Sequence, residues 1–204
     1  MNKTKKKILT ASLALFNEHG LLNVSQRRIT DYLKISPGNL TYHFKKKEDI
    51  SEALYFEFMD IITEESKKFL AKNKDLSHFA MLIENWFNHM YDYRFIFFDI
   101  TNLMRMNEKI AANYEQFIKV RASIFLKMVN KSIEDGMLRT EEIPNEYENL
   151  YSRLHIVSDY YLSYLSSEKM LKLEQQQKHK NIFLQAIFPF LTKKGKATYM
   201  GLFR

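Results

Sequence analysis

A short polar segment near the start of the chain carries residue types that hydrogen-bond to nucleic-acid bases. Residues 24–47 read VSQRRITDYLKISPGNLTYHFKKK. Ser36 and Pro37 mark the start of a helix, because serine caps free backbone N–H groups and proline is preset for the first helical position. Asn39 and Thr41 follow closely, and such side chains pair with adenine and contact the thymine methyl group. The pattern predicts a short helix that inserts into a DNA major groove.

The other polar residues of this segment are suited to contacts that position a protein on DNA. Gly38 lacks a side chain, so a helix that begins there approaches the groove floor closely. Contacts with phosphates fix the register of a protein but carry no sequence information. The predicted DNA-binding residues are Ser25, Arg28, Pro37, Gly38, Asn39, Thr41, Tyr42, His43 and Lys47. Two alternatives stay open, since His43 also suits packing in a core and Arg28 also suits simple solvation.

Positive charge is concentrated in the same part of the chain. Residues 1–50 contain ten lysines and arginines and four acidic residues, so they carry +6 of the chain's formal net charge of +7. Such a field neutralises phosphates and supplies much of the affinity of proteins for DNA. A solvated basic terminus without a partner is the alternative interpretation.

The composition excludes several classes of protein. The 204 residues include five glycines, three prolines and no cysteine. The scarcity of glycine and proline favours long helices. The absence of cysteine excludes disulfides, thiolate metal sites and thiol nucleophiles. The sequence has no nucleotide-binding glycine loop, no HExxH motif, no evident catalytic triad and no metal-ligand spacing among its six histidines. We therefore predict no catalytic residue, no metal, no cofactor and no enzymatic activity.

The first residues look superficially like a signal peptide, with lysines followed by an apolar run. However, Ile8, Ser12, Leu15 and Phe16 repeat as they would on one face of a globular helix. No other stretch approaches the roughly 20 apolar residues that a membrane span requires. We expect a cytoplasmic protein without a membrane partner.

Start and stop signals divide the chain into predicted helices. Gly20 is a suitable left-handed cap for the first helix, and Ser25 is a suitable N-cap for the second. A polar, basic and frayed tail is predicted from Thr192. The predicted helices cover 3–19, 25–33, 36–44, 47 to about 73, 77 onward, 95–105, 107–135, 144–166 and 168–189.

The order of these residues resembles the DNA-binding domain of the TetR/AcrR repressor family. Two positions depart from the usual pattern. Thr30 stands where a small residue is usual, and Thr41 stands where the family usually has a DNA-contacting tyrosine, with Tyr42 one step later. The shared pattern comprises Ile8-Leu9, Ala11, Leu15-Phe16, Gly20, Ser25, Ile29, Leu33, Ile35-Ser36-Pro37-Gly38-Asn39-Leu40, His43-Phe44 and Lys47-Glu48.

The resemblance implies an all-α fold, in which an N-terminal three-helix helix-turn-helix domain is joined by a long fourth helix to a helical ligand-binding and dimerisation domain. The expected divisions are a DNA-binding domain at 1–46, an effector-binding and dimerisation domain at 47–192 and a basic tail at 193–204. The implied function is a dimeric repressor that a small, largely apolar effector releases from a palindromic double-stranded operator. A DNA-binding regulator without a small-molecule pocket, controlled by a protein partner or by its abundance, is the alternative.

The resemblance also implies a homodimer held by the last two predicted helices. Both helices carry apolar side chains at helical spacing. Packing of either stripe inside one chain is the alternative, and it stays open. The two stripes consist of Leu150, Leu154, Val157, Tyr161 and Leu165, and of Phe183, Ala186, Ile187 and Phe190.

The middle of the chain is the expected place for the effector pocket. Such pockets are mostly apolar, with a few polar groups that fix the orientation of the ligand. Arg121 interrupts an apolar stripe and is predicted either to hold a ligand or to form an internal salt bridge, while the aromatic residues are candidates for plain core packing. The predicted effector-binding residues are Trp86, Met90, Tyr91, Phe95, Phe98, Met104, Tyr114, Phe117, Arg121, Phe125 and His155.

Overall fold

The computed structural model describes residues 2–71, 76–165 and 173–202. These parts contain no β-strand, only an isolated antiparallel bridge between Leu138 and Leu191. The predicted all-α fold is therefore confirmed. The helices are α1 Lys3–His19, α2 Gln26–Leu33, α3 Pro37–His43, α4 Lys47–Leu70, α5 Leu76–Asp92, α6 Phe95–Phe98, α7 Ile100–Met106, α8 Glu108–Glu134, α9 Glu146–Leu165, α10 Leu173–Gln185 and α11 Lys193–Leu202, with a 3-10 turn at Phe188–Phe190.

Local capping explains the first three helices. The Ser25 hydroxyl oxygen accepts a hydrogen bond from the Arg28 N–H at 3.2 Å, and the Ser36 hydroxyl oxygen accepts one from the Asn39 N–H at 3.2 Å. Gly20 follows α1 with a φ of 78°, which glycine adopts without the penalty that a Cβ atom brings. These caps fix where α1 ends and where α2 and α3 begin, as the sequence predicted.

A long fourth helix connects the N-terminal helices to the rest of the chain. α4 spans 24 residues and contacts α1, α5 and α8. Ile50, Leu54, Phe58 and Ile62 repeat along it and are almost completely buried. Buried residues of both parts of the chain form one continuous hydrophobic cluster. Because protein interiors are close-packed, a displacement of α4 in one part of the chain changes the packing in the other part.

Two predicted helices have different bounds in the structure. The predicted helix 95–105 is interrupted at Asp99, whose φ of −148° and ψ of 40° lie outside the helical region, and it becomes α6 and α7. α9 begins after Pro144, because Asn145 takes a positive φ of 60°. The predicted end of α4 near 73 and the predicted start of the last helix at 168 lie outside the described residues.

The C-terminal segment forms a docked helix, so the prediction of a frayed tail is wrong for 193–202. Tyr199 of α11 is buried, and its ring meets the edge of Phe188 at a centroid distance of 5.4 Å. A Cβ atom on Gly195 would lie 2.0 Å from the Met137 carbonyl oxygen, so glycine permits this close approach. The Thr192 N–H donates to the same carbonyl at 2.9 Å. One aromatic anchor and these backbone contacts hold a helix that looks polar in sequence.

The two predicted apolar stripes, one on α9 and one running from α10 into the 3-10 turn that follows it, face the interior of the chain. The prediction that they line a dimer contact is wrong for five members, which are buried within the chain itself: Leu150, Leu154, Phe183, Ile187 and Phe190. Val157, Tyr161 and Ala186 are partly buried, and the side chain of Leu165 lies outside the described residues. The apolar side chains that these two helices expose are instead Ile156, Tyr164 and Ile182.

Candidate DNA-binding interface and buried cavity

Helix α3 presents the predicted base-contacting residues on an exposed face. α2 ends at Leu33. The next residue, Lys34, takes the left-handed conformation with a φ of 54°, and the chain then turns into α3. Ile29 and Leu40 pack in the core beneath, with at most 1% of their surface exposed. A helix that is packed on one side and open on the other suits insertion into a major groove. The exposed residues are Pro37, Gly38, Asn39, Thr41 and Tyr42.

Nothing in the described part of the chain accounts for glycine at position 38. A Cβ atom there would meet no atom within 4 Å. The glycines with positive φ among the described residues are Gly20 and Gly136, so the backbone at Gly38 is one that any residue adopts. Glycine inside a helix costs up to about 1 kcal/mol relative to alanine. We infer that Gly38 serves the approach of an external surface to the helix.

The side chains next to Gly38 differ in their freedom to contact bases. The Thr41 hydroxyl donates to the Pro37 carbonyl oxygen at 2.9 Å, so the methyl group remains for an apolar contact. Tyr42 is 84% exposed, and its ring lies in edge contact with the partly buried His43 ring at 5.1 Å. His43 is therefore partly packed, as its alternative interpretation predicted. Tyr42 is exposed and free to contact an external surface.

Three predicted DNA-contacting residues already have partners within the chain. The Ser25 hydroxyl caps α2, Arg28 Nη2 lies 2.8 Å from His19 Nε2, and Lys47 Nζ donates to the Leu21 carbonyl oxygen at 2.8 Å. An ammonium group has three N–H donors, so Lys47 retains two. Arg28 remains exposed. These contacts leave the positive charge near the surface, and the phosphate roles stay predictions.

The lysines at the start of α1 extend the cationic surface beyond the predicted site. Lys5 Nζ lies 5.3 Å from the centre of the Phe44 ring, which places the first turns of α1 beside the end of α3. In the sequence, only the net charge indicated that these lysines belong to a DNA-binding surface, because no pattern shows which helix lies next to α3. The exposed lysines of this surface are Lys3, Lys6, Lys7, Lys45 and Lys46.

A cavity of about 60 Å³ lies among α4, α5, α8, α9 and α10. Most of its wall is apolar, with contributions from all five helices: Ile62, Phe79, Leu82, Ile83, Ile124, Phe125, Leu154 and Phe183. The polar part of the wall consists of Glu65, Ser66, Trp86, Arg121, Tyr151 and His155. An apolar chamber with a few polar groups is the usual form of a small-molecule site.

A buried ion pair lies beside this cavity. Asp159 is fully buried, and Arg121 Nη1 donates to both of its carboxylate oxygens at 2.9 Å. The Tyr114 hydroxyl donates to the same carboxylate at 2.7 Å, and Ser158 bonds to both members of the pair. Burial opposes ionisation, but the Arg121 charge and the neighbouring His155 and Ser158 side chains hold the pKa of Asp159 well below its usual range. Arg121 thus forms the internal salt bridge that was one of its two alternatives.

Two nitrogen atoms of cavity-lining residues are buried without a hydrogen-bond partner among the described residues. They are Trp86 Nε1 and His155 Nδ1. His155 Nδ1 lies 3.4 Å from an Asp159 carboxylate oxygen, but the geometry does not make a hydrogen bond. The Arg121 guanidinium covers the Trp86 ring at 4.2 Å. Buried polar atoms without a partner are rare in folded proteins and call for an explanation.

Comparison with known protein families decides the identity of the chain. A family model described as bacterial regulatory proteins of the tetR family matches residues 8–54. A second model, described as the TetR bacterial transcriptional repressor, matches residues 55–199. The chain belongs to the TetR family. No curated protein matches the sequence.

Solved structures of other TetR-family regulators share the fold. A regulator from Marinobacter aquaeolei VT8 is 23% identical with a TM-score of 0.87, covering 99% of this chain and 97% of its own. The ketosteroid regulator KstR2 of Mycobacterium tuberculosis is 19% identical with a TM-score of 0.72, covering 95% and 97%. A putative regulator from Saccharomonospora viridis, solved with choline, is 16% identical with a TM-score of 0.69, covering 95% and 100%. At these identities, the likeness extends to the fold alone.

The cavity of this TetR-family chain gathers some of the predicted effector residues and not others. Trp86, Arg121, Phe125 and His155 line it. Phe117 lies behind Trp86 at 5.7 Å, and Phe95 packs against Phe16 of α1 at 5.4 Å. The predicted residues that the structure does not place on the wall are Met90, Tyr91, Phe95, Phe98, Met104, Tyr114 and Phe117.

Sequence reasoning missed the contribution of α4 to the cavity. Ile62, Glu65 and Ser66 lie on its wall, although the sequence marks them only as part of a connecting helix. The described part of the chain holds no group of three potential metal ligands. In residues 2–71, 76–165 and 173–202, no helix has the length and apolar character needed to cross a bilayer.

Proposed function

We propose that this TetR-family regulator is a dimeric repressor that leaves a palindromic operator when a small, largely apolar effector enters the cavity. The family and the helix-turn-helix domain make the chain a DNA-binding transcriptional regulator. The observation that carries the proposed release is the course of α4. This helix begins just after α3, the proposed recognition helix, and later forms part of the cavity wall.

In the proposed complex, α3 reads bases and the surrounding cations hold phosphates. Asn39 pairs with adenine, and the Thr41 methyl group contacts a thymine methyl. Gly38 lets the helix backbone approach the groove floor. Tyr42, Lys47 and the lysines of α1 contact phosphates on either side. Such a regulator acts where the chromosome lies, so we place it in the cytoplasm.

The proposed coupling between effector and operator runs along α4. Ile62 on the cavity wall lies 15 residues beyond Lys47, which corresponds to about 22 Å along a helix. A ligand that fills the cavity favours the arrangement of α4 that leaves it room. If that arrangement separates the two recognition helices of a dimer from successive major grooves, the ligand lowers operator affinity.

The proposed dimer uses the outer faces of α9 and α10. Ile156, Tyr164 and Ile182 expose 59%, 79% and 37% of their surfaces there. Burial of apolar side chains of this size against a partner lowers the free energy and so favours association. A twofold dimer presents two α3 helices to one inverted repeat. The solved relatives named for ketosteroid regulation or solved with choline support control by small molecules.

Selection of bound sequences from a random double-stranded DNA pool tests the proposed DNA reading. We expect an enriched inverted repeat whose half-sites lie one or more helical turns apart. The same selection with Asn39→Ala should yield a motif that is degenerate at one position of each half-site. Retention of DNA that shows no enriched motif, with binding that only follows salt concentration, would contradict the proposal.

The small size of the cavity favours one second candidate. A cavity of about 60 Å³ is smaller than the roughly 150 Å³ that accommodates benzene in an engineered case. The alternative is a regulator that is controlled by a protein partner or by its abundance and has no effector. Native mass spectrometry of the purified protein separates the two. A co-purified small molecule supports the effector, and a bare protein that stays on its operator in the presence of apolar compounds supports the alternative.

A further inference from the structure

We propose that Asn17 is a positioning residue for DNA binding, because it fixes the angle between the helix-turn-helix head and the rest of the chain. The head consists of α1, α2 and α3, and the body consists of α5 to α11. In the dimer of the proposed function, on which this consequence rests, that angle sets the spacing of the half-sites that the protein accepts. Two hydrogen bonds of one side chain across the junction support the assignment.

The Asn17 amide joins the end of α1 to the turn between α5 and α6. Its Nδ2–H donates to the Asp92 carbonyl oxygen at 2.7 Å, and its Oδ1 accepts from the Phe95 N–H at 3.0 Å. Asp92 is the last residue of α5, and Phe95 is the first of α6. Helix ends leave such backbone groups without a partner inside the helix. One amide of the head therefore satisfies two backbone groups of the body, and it uses both a donor and an acceptor to do so.

Helix α4 is attached to the body by side chains that lie beyond its first turn. The Glu52 carboxylate accepts a hydrogen bond from Asn107 Nδ2 at 2.6 Å, and the Glu57 carboxylate accepts one from the Tyr93 hydroxyl at 2.7 Å. The head precedes these attachment points and is connected to them through the start of α4. A single short connection acts as a hinge unless a second contact restrains it.

Apolar contacts at the same junction restrain this angle less than hydrogen bonds do. The Phe16 ring packs against the Phe95 ring at a centroid distance of 5.4 Å, and Leu21 and Ile110 line a cavity of about 20 Å³ between the two parts. Apolar packing is not directional, whereas a hydrogen bond weakens steeply as its angle changes. Among the described residues, Asn17 alone makes hydrogen bonds from the head to the body. Its amide is therefore the directional restraint on the head.

The angle of the head matters because two heads must fit one DNA duplex. A twofold dimer places one α3 helix in each half-site, so the distance between the two helices selects the half-site spacing. A head that is held at two points accepts a narrow range of spacings. A head that swings about α4 accepts a wider range and binds the best spacing less tightly, because binding must then restrict its motion.

The distance between head and body within one chain tests the role of Asn17 directly. The chain has no cysteine, so Asp31→Cys on the head and Lys127→Cys on the body, both exposed, give two unique sites for spin labels. An excess of unlabelled protein suppresses distances between chains. By double electron–electron resonance, we expect Asn17→Leu to broaden the distribution of distances. Asn17→Asp should broaden it as well, because a carboxylate cannot donate to the Asp92 carbonyl.

Tyr147→Phe is the matched control for a loss of stability alone. The Tyr147 hydroxyl donates to the Arg139 carbonyl oxygen at 2.6 Å, so this substitution also removes a hydrogen bond to the backbone. Both of its partners lie in the body. The unfolding midpoint of Tyr147→Phe should therefore fall, while the distribution of distances stays that of the original protein.

The spacing preference is the second measurement. The probes are duplexes that carry two copies of the selected half-site at a series of spacings, and a duplex with a single half-site. We expect Asn17→Leu to lose about tenfold in affinity at the best spacing and to discriminate less among spacings, with unchanged affinity for the single half-site. An equal loss on the single half-site and on the repeat would show that Asn17 only stabilises the head, and would overturn the inference.

The two measurements separate this inference from the proposed function. An unchanged distribution of distances in Asn17→Leu and Asn17→Asp would overturn the role of Asn17, even if the original protein selects an inverted repeat. If the original protein does not prefer the repeat over the single half-site, the proposed dimer fails and the consequence for spacing fails with it. The distance within one chain still decides whether Asn17 fixes the head.

Discussion

Gly38 is a residue whose type the described part of the fold does not explain, and the proposed DNA contact would explain it. Its neighbours have clear structural roles, since Ser36 caps α3 and Leu40 lies in the core. Gly38 makes no packing contribution, and its φ does not require glycine. A residue that lowers stability and makes no compensating packing contact is expected at positions where function requires it.

Replacement of Gly38 by alanine should separate stability from DNA binding. We expect Gly38→Ala to raise the free energy of unfolding by up to about 1 kcal/mol, because alanine is the better helix former. The added methyl group should weaken operator binding, because it holds the helix away from the groove floor. Denaturant unfolding and fluorescence anisotropy with labelled operator measure the two effects.

Gly201→Ala in α11 is the matched control for this substitution. A Cβ atom at Gly201 also meets no atom within 4 Å, so its unfolding should respond in the same direction. Its operator affinity should stay unchanged. Full operator affinity in Gly38→Ala would show that no surface approaches the helix at that point.

At the scale of elements, a buried histidine joins α10 to its neighbours. His179 Nε2–H donates to the Val157 carbonyl oxygen of α9 at 2.7 Å, and its ring stacks on Tyr161 at 4.2 Å. Tyr91 of α5 lies 3.4 Å from the other ring nitrogen. Burial lowers the pKa of His179 to about 4. The folded chain therefore keeps the His179 imidazole in its neutral form.

The stability of the protein should consequently fall as the pH falls from about 6.5 towards 4. In this window the unfolded chain binds a proton at residue 179 and the folded chain does not, so protonation favours unfolding. The contribution of His179 is complete above pH 6.5, and its loss amounts to up to about 3 kcal/mol. Urea unfolding at a series of pH values measures it.

His179→Gln should reduce the slope of stability against pH in this window. Tyr91→Phe, which removes a neighbouring hydroxyl but keeps the imidazole, should retain the slope. An equal slope in the original protein and in His179→Gln would show that other groups cause the pH dependence.

The last helix offers a second test at this scale. Gly195→Ala should destabilise the protein by roughly 1–3 kcal/mol, because the new Cβ atom overlaps the Met137 carbonyl oxygen and something must shift. We expect faster proteolytic cleavage within α11 as well as a lower unfolding midpoint. Gly201→Ala, which lies on the same helix without such a neighbour, should show neither effect. Unchanged stability in Gly195→Ala would mean that α11 is not docked on Met137.

Sequence patterns succeeded where the determinants are local. Ser25 and Ser36 cap the helices that follow them, so α2 and α3 could be located from a few neighbouring residues. The Gly20 stop after α1 is equally local. Helical periodicity, in contrast, does not show which helix a given apolar face packs against in the folded chain. The stripe that includes Leu154 was correctly assigned to a helix face, but that face packs inside the chain.

The cavity and the last helix show the same limit. Ile62 lines the cavity because α4 packs against α5 and α8, and no pattern within α4 reveals this. α11 has a polar composition, and a single anchor, Tyr199, together with backbone contacts holds it in place. The residues near Trp86 were found from aromatic content, but aromatic content also marked Phe95, which packs against α1 instead.

At the scale of the whole molecule, the proposed function requires the basic end and the outer faces of α9 and α10 to act together. One α3 helix contacts only a few base pairs, and a second copy adds a second half-site at high effective concentration. The +6 charge of residues 1–50 supplies general affinity for phosphates. In the proposed function, specific occupancy of an operator depends on a dimer, for which Ile156 and Tyr164 are the exposed apolar candidates.

The most direct test of this account compares an inverted-repeat duplex with a single half-site, using the original protein and the double variant Ile156→Glu with Tyr164→Glu. The original protein should prefer the repeat by at least about a hundredfold. The variant should lose that preference while its half-site affinity and salt dependence stay the same. A ratio near one in the original protein, or a preference that survives in the variant, would contradict the account.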